Sequence, residues 1–324
     1  MSTVTVYTQF TLAELAKRTN DKDVLEIANT LATNRDMLED AYWVEGNQVA
    51  SHIGSKVTSL PSGTYRRGNQ GVGVEAATTK QVTEGIGRLE AISDIDEAII
   101  DIYPPGRREE IRRGEDKLFI EGLGQTICET MIYGNISTDP EKIDGLATRY
   151  DALSDANVLG AGGTGDDTTS LWIIEWGQNK VHMFYPAGSK VGISFEDKGK
   201  VRTNPTASTI MYAYETQFVS HHGMFIHDDR CVQRIANIET SGSTNTLDDN
   251  QIIEALNLMP MVGGGGSTMI YVNRVLKTQL DILAKDKTNV NYTADNAFGA
   301  PVTRFRGVPV RLEESINNTE TAIS

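Results

Sequence analysis

The chain has 324 residues, 39% of them apolar, and a formal net charge of −14. That is enough to bury a sizeable core in one large or two ordinary domains, while the charge argues against a protein that grips nucleic acid through a basic face. Cys128 and Cys231 lack any spacing signature and suggest buried thiols of a reducing compartment, not a disulfide framework. The start, MSTVTVYTQFTL, lacks the basic and apolar segments of a signal peptide, and no apolar run reaches the ~18 residues of a membrane span, so a cytosolic-type soluble chain is expected.

In chain order, residues 1–10 suggest an extended arm. Thr11-Leu-Ala-Glu14 is a capping-box pattern that predicts a short helix ending near Asn20. Val24, Leu25, Ala28, Leu31, Ala32 and Leu38 predict a second helix over about 22–40. Tyr42-Trp43-Val44 is a small apolar anchor. Residues 45–90 are rich in glycine, serine and threonine; Ile53–Val57, Thr64–Arg67, Gln81–Glu84 and Leu89–Ile92 look like strand pieces, with a turn at Pro61-Ser62-Gly63. Such a ribbon has too little apolar surface for a core of its own and must lie on something else. From Ala91, ISDIDEAIIDIY suggests a helix.

The stretch Arg107–Gly134 organises the rest. Pro104-Pro105-Gly106 precedes it, Gly134 is suited to a left-handed helix stop, and no proline interrupts it. As one helix it spans roughly 40 Å at about 1.5 Å per residue. Its first half is charged; its second half places Phe119, Leu123, Ile127 and Met131 at four-residue steps, a stripe for packing on a sheet. Gly114, Gly122 and Gly124 weaken the helix, and close approach of another backbone would explain them. Beyond it, Leu171–Trp176 and Lys180–Tyr185 look like strands joined by the hairpin signal Gly177-Gln-Asn179. Further strands are expected at 210–220, 223–227, 230–239 and 269–272, helices at 251–258 and 275–283, and a last strand at Val308–Leu312 with an edge proline. The class is α+β, with a sheet built from distant segments.

The chemistry tests come out negative. Gly160-Ala-Gly162-Gly-Thr-Gly165 matches GxGxxG, but a strand and not a helix is expected after it, so pyrophosphate would meet no helix dipole and a flexible loop is the better account. Gly263–Gly266 lacks the P-loop lysine. His221, His222 and His227 lie near Asp228 and Asp229, yet no spacing forms a recognised metal site, and structural or interface histidines are expected. No GxSxG elbow is present and neither cysteine has a nearby histidine in sequence. No catalytic, cofactor-binding or metal residue is assigned. Arg66-Arg67 suit phosphate or, in so acidic a chain, an acidic neighbouring protein surface.

Several stretches in series resemble a known family: LAELAKRT, MLEDAYWVEGN, LPSGTYRRGNQGV, TKQVTEGIGRLEA, IYGN followed by PEKIDGLATRY, AGGTGDDTTSLWIIEWG, VHMFYPAGSKVG and RIANIET. They are similar to major capsid proteins of tailed phages with the HK97-type shell fold, in particular those of epsilon15-like short-tailed phages. The resemblance implies an N-terminal arm (1–40), an extended loop or E-loop (41–90), a peripheral domain with a spine helix (91–140), and an axial domain plus returning peripheral strands (141–324). It implies no enzyme, but a subunit that self-assembles through heterologous contacts into hexamers and pentamers of an icosahedral shell around double-stranded DNA, which it packages without sequence-specific binding. The other expected partners are a separate scaffolding protein, a portal protein and, as an option, a decoration protein. Assembly would take place in the host bacterial cytoplasm and the product would be the virion capsid. Inter-subunit contacts are expected at Arg66, Arg67, Arg107, Arg108, Arg112 and Arg113, without lysine crosslinks through Lys56 or Lys80. The readings from other classes are an enzyme using the glycine loop and histidines, and another virion component such as a tail or adhesion protein.

Overall fold

The computed structural model describes residues 19–20, 23–24, 35–206, 209–242, 244–260, 267–284, 292–297 and 300–324. The elements begin with β1 (Thr19–Asn20), β2 (Asp23–Val24), α1 (Asp36–Asp40), β3 (Trp43–Glu45), β4 (Ser51–Ser59), β5 (Thr78–Gly85) and β6 (Gly87–Asp96). The helices α2 (Glu97–Ile100), α3 (Pro105–Tyr133) and α4 (Leu146–Arg149) follow. Next come β7 (Val158–Gly160), β8 (Thr168–Trp176), β9 (Val181–Tyr185), β10 (Ile193–Thr206), β11 (Thr209–Ile226) and β12 (Val232–Glu239). The chain continues through α5 (Asp249–Leu258), β13 (Ser267–Val272), α6 (Arg274–Ala284), β14 (Tyr292–Ala297), β15 (Ala300–Phe305) and β16 (Val308–Leu312). It divides into two units, one of Met1–Thr33, Arg88–Ile127 and Gly192–His221, the other of Asn34–Gly87, Cys128–Val191 and His222–Ser324.

In the first unit, the long antiparallel hairpin β10–β11 pairs from Ile193↔Ser220 to Thr206↔Thr209, with register shifts at Asp197/Gly199 and Thr203/Thr206, and β6 pairs with β11. The long helix α3 opens with Pro105, whose missing N–H costs nothing in a first turn. Phe119 stacks on Phe218 with centroids 5.5 Å apart, and Ile111 is buried with Ile99 and Tyr103. Residues 91–96, expected to be helical, are strand. Ser93 and Ile95 point inward while Ile92 is exposed, a period of two, and the helix begins only where the Asp96 side chain caps the N–H of Ala98. Residues 19–20 and 23–24 pair as antiparallel strands and are not helical. The rest of the arm expectation lies outside the described residues, except that 36–40 is helical.

The second unit is built around β8, buried along all nine of its residues. Its centre, Leu171–Ile174, is an apolar run suited to burial on both faces, and Thr168, Thr169, Ser170 and Glu175 are buried beside it. It pairs antiparallel with β12 and β13, and β13 continues in parallel to β16. Helices α5 and α6 close the core with Ile252, Leu256, Leu276 and Leu280 against Leu171, Ile173, Ile235 and Ile270. The expected β8–β9 hairpin is absent: the strands share one parallel bridge, Trp176↔Val181. The loop offsets the chain without reversing it, and β9 pairs instead with β3 and with Gly223–Ile226 of β11. The segments 210–220 and 223–227 are thus one strand. Pro309 is not on an edge, since β16 pairs with β15 on one side and β13 on the other. It is tolerated because pairing with β13 starts at Val310.

Two glycine expectations also change. Gly134 is not left-handed; a Cβ there would stand 2.2 Å from the carbonyl oxygen of Ile143, so close backbone approach requires glycine. At Gly114 and Gly122 a Cβ would meet nothing within 4 Å in the chain. The Gly160–Gly165 stretch is bonded to the sheet, with Ala161 N–H to Ala236 O at 2.8 Å and Gly163 N–H to Asn237 O at 2.9 Å, and strand β8 follows it. A helix-terminal anion cradle is therefore not built there.

Candidate functional site: a basic ribbon and its histidine-lined base

Between Ser51 and Gly85 the cations Lys56, Arg66, Arg67 and Lys80 outnumber the anions Glu75 and Glu84, so the ribbon is positive on a chain of net charge −14. β4 and β5 pair antiparallel, with a register shift between Val57 and Ser59. The expected strand at Thr64–Arg67 is instead part of a loop. That loop is closed by its own side chains. Glu75 Oε2 accepts the N–H groups of Ser62 and Gly63 at 2.8 and 3.0 Å. Arg66 Nη1 donates to Gln70 O at 2.8 Å, and Gln70 Oε1 accepts from Arg67 N–H at 3.3 Å. Neither arginine makes an ion pair with a described residue, and both are exposed, as are Leu60, Tyr65 and Val74.

The other expected contact arginines differ. Arg112 is half-buried and held inside its own unit, on Asp197 at 2.6 Å and Thr216 at 3.3 Å. The Tyr214 ring centroid is 5.3 Å from its guanidinium carbon. Its hydrogen bond to Asp197, with a backbone N–H from Gly199, holds that carboxyl below the usual range despite partial burial. Arg108 pairs with Asp101 at 2.7 Å and donates to Tyr103 O. Among the described residues Arg113 makes an exposed i,i+4 pair with Glu109.

At its base the ribbon is tied to the rest of the second unit. Arg149 holds Glu84 bidentately at 2.7 and 2.8 Å, and Lys56 pairs with Asp229 at 3.1 Å. The Asn47 amide mimics a strand neighbour, donating to Ile53 O and accepting from Ile53 N–H. The register places Phe225 opposite His182, and His227 donates its N–H to Lys180 O. His182 and His227 are therefore diagonal neighbours on one face of the sheet, 5.3 Å between ring centroids. His52 of β4 packs on the same face, its ring 5.3 Å from His182, 5.1 Å from Phe184 and 5.1 Å from Phe225. Gly54 makes room for this, since a Cβ there would be 2.3 Å from Phe225 Cζ. Burial lowers all three imidazole pKa values, that of His182 to about 4. The sequence cluster His221, His222 and His227 is not what assembles: only His227 joins this group. The available signal was the alternation in VHMFY and FIH, which puts His182 and His227 each on the same face as a buried phenylalanine; no such signal marks His52.

The fold has solved counterparts. The chain is similar to one in the near-atomic-resolution structure of bacteriophage Epsilon15, with 24% identity over 99% of each chain and a TM-score of 0.75. Weaker likeness extends to the bacteriophage JBD30 capsid (11% identity, 89% and 93% coverage, TM-score 0.49). It also extends to the SrpI encapsulin of Synechococcus elongatus (10% identity, 73% and 98% coverage, TM-score 0.47). No curated protein matches the chain. The family model for the major capsid protein GP7 matches residues 19–324, nearly the whole length, and the chain accordingly belongs to the GP7 family of phage major capsid proteins.

Proposed function

We propose that this capsid subunit closes an icosahedral shell of hexamers and pentamers around double-stranded phage DNA by docking its basic ribbon tip on acidic side chains of a neighbouring copy. In this reading 1–40 is the arm, 41–90 the extended loop, 91–140 the peripheral domain with the spine helix, and 141–324 the axial domain with returning peripheral strands. Assembly uses a separate scaffolding protein and a portal in the host cytoplasm, without catalysis and without covalent crosslinks. The single observation that carries the docking step is the tip itself, two exposed arginines on a loop held in shape by Glu75 and Gln70. Preorganisation lowers the ordering cost of binding, and guanidinium forks pair bidentately with carboxylates. Arg107, Arg108, Arg112 and Arg113 belong to the same proposal, with Arg66 and Arg67 at its centre. The test is shell yield by electron microscopy and shell melting temperature for Arg66→Ala/Arg67→Ala and for the lysine pair. The alanine pair should fold and assemble poorly, and the lysine pair should recover in part. Unchanged yield and melting in the alanine pair rejects the docking role; open tubes from the wild-type chain reject the closed shell.

A further inference from the structure

We propose that His52, His182 and His227 bind a divalent transition-metal ion, of which zinc is the best fit, and that the ion fastens the ribbon base to the sheet within the second unit. Two observations carry this. Each histidine offers one ring nitrogen, and the three ligand atoms all lie within 4.8 Å of one another. Independently, His182 is only 1% exposed, and neither of its ring nitrogens has a hydrogen-bond partner among the described residues. The Gln178 backbone is near it but outside hydrogen-bond geometry. Burying an imidazole unpaired among Phe184 and Phe225 is unfavourable, and a third phenylalanine would fill the space without that cost. A coordinated ion gives the nitrogen a partner.

The chemistry fits. Imidazole nitrogens suit zinc at about 2.0–2.1 Å, and in tetrahedral geometry such ligands stand roughly 3.4 Å apart. From a spread of at most 4.8 Å, each side chain needs a movement of about 1 Å or less. The half-buried His227 side leaves a fourth position for solvent or a further ligand. The neighbouring charges nearly cancel: Lys56 is paired with Asp229, Arg230 with Asp228, and Lys180 with Glu175. One contact is exchanged on loading. Asn47 N–H now reaches His52 Nδ1 at a long 3.4 Å, and coordination through Nε2 moves the ring proton to Nδ1 and breaks it.

The experiment uses the purified full chain, stripped with a chelator and titrated with zinc. Readouts are bound zinc per chain by elemental mass spectrometry, the melting temperature, and the visible absorption of the cobalt(II) derivative. The wild type should bind one equivalent, melt higher with zinc and show tetrahedral cobalt bands. Loss of an outer-shell partner typically weakens metal affinity by about 10–100-fold, so His182→Gln and His227→Gln should lose at least that much. His227 is half-buried at the margin of the cluster, so His227→Gln keeps the test valid should His182→Gln fail to fold. His221→Gln should bind as the wild type does. Equal zinc uptake by the wild type and His227→Gln, or no saturable uptake by the wild type, overturns the proposal.

Discussion

Arg234 Nη2 donates to Glu320 Oε2 at 3.0 Å across 86 residues of sequence, with the two side chains only 4% and 7% exposed. Both groups are otherwise satisfied. Arg234 also donates to Tyr150 O at 2.7 Å and Ser170 Oγ at 3.0 Å and lies over the Trp172 ring; Glu320 also accepts from Tyr133 and Ser170. Breaking a buried pair by removing one partner typically costs about 3–5 kcal/mol, because the other charge is left buried. Glu320→Ala should therefore lower subunit stability by about that amount. Urea unfolding of the unassembled chain measures it, and a loss under about 1 kcal/mol, within the range of an exposed pair, counts against this account.

Arg112 gives a test that separates the subunit from the shell. Its partner Asp197 has a lowered folded pKa, so the pair's contribution is fully present above the unfolded value and is lost as pH falls through the folded one. Asp197 is about half exposed, so solvent screening keeps the contribution to at most about 1 kcal/mol. Asp197→Asn should flatten the acid limb of unfolding below about pH 4. Arg112→Ala should lower the melting point of the isolated subunit, whereas Arg113→Ala, at an exposed pair, should leave it within error. Equal effects of the two alanines would contradict the assignment.

Gly54 is fixed by contact, not by backbone conformation. Gly54→Ala places a methyl 2.3 Å from Phe225 Cζ, and overpacking of this kind costs typically 1–3 kcal/mol, so a loss of about that size is expected. Adding Phe225→Leu should restore part of the loss. No restoration in the double variant would mean that the ring is not the obstacle.

Glu75 tests the tip. Glu75→Ala removes the acceptor shared by the Ser62 and Gly63 N–H groups. The tip is tied only within the ribbon by these bonds, so the subunit melting point should hold while proteolysis between 60 and 77 quickens and shell yield drops. A lowered subunit melting point would show that the loop supports the core.

How much was legible depends on the range of the forces involved. The long helix α3 was, because a proline break before it and an apolar stripe at four-residue steps are local signals. So was the centre of β8, whose apolar run Leu171–Ile174 is fully buried. Residues 91–96 were misread because Ile92, Ile95 and Ile99 imitate helical spacing while pairing with β11 selects strand. The β8–β9 hairpin was misread because the tight loop signals a turn, and only the sheet decides which strands adjoin. The arginines looked alike in sequence, but Asp197, 85 residues from Arg112, sets that one apart. The histidine group joins positions separated by 130 and 45 residues, and no local spacing encodes it.

The ribbon tip has one more consequence, for the supply of subunits. Leu60, Tyr65 and Val74 are 78%, 107% and 102% exposed, beside a two-stranded ribbon with open edges. A freshly folded copy that has not met its neighbours carries this surface in water, where unpaired edges and apolar residues seed disordered clumps. Orderly growth then competes with precipitation, and the outcome depends on how many free copies accumulate. Slow production at low temperature favours closed particles, and a burst of synthesis favours inclusion bodies.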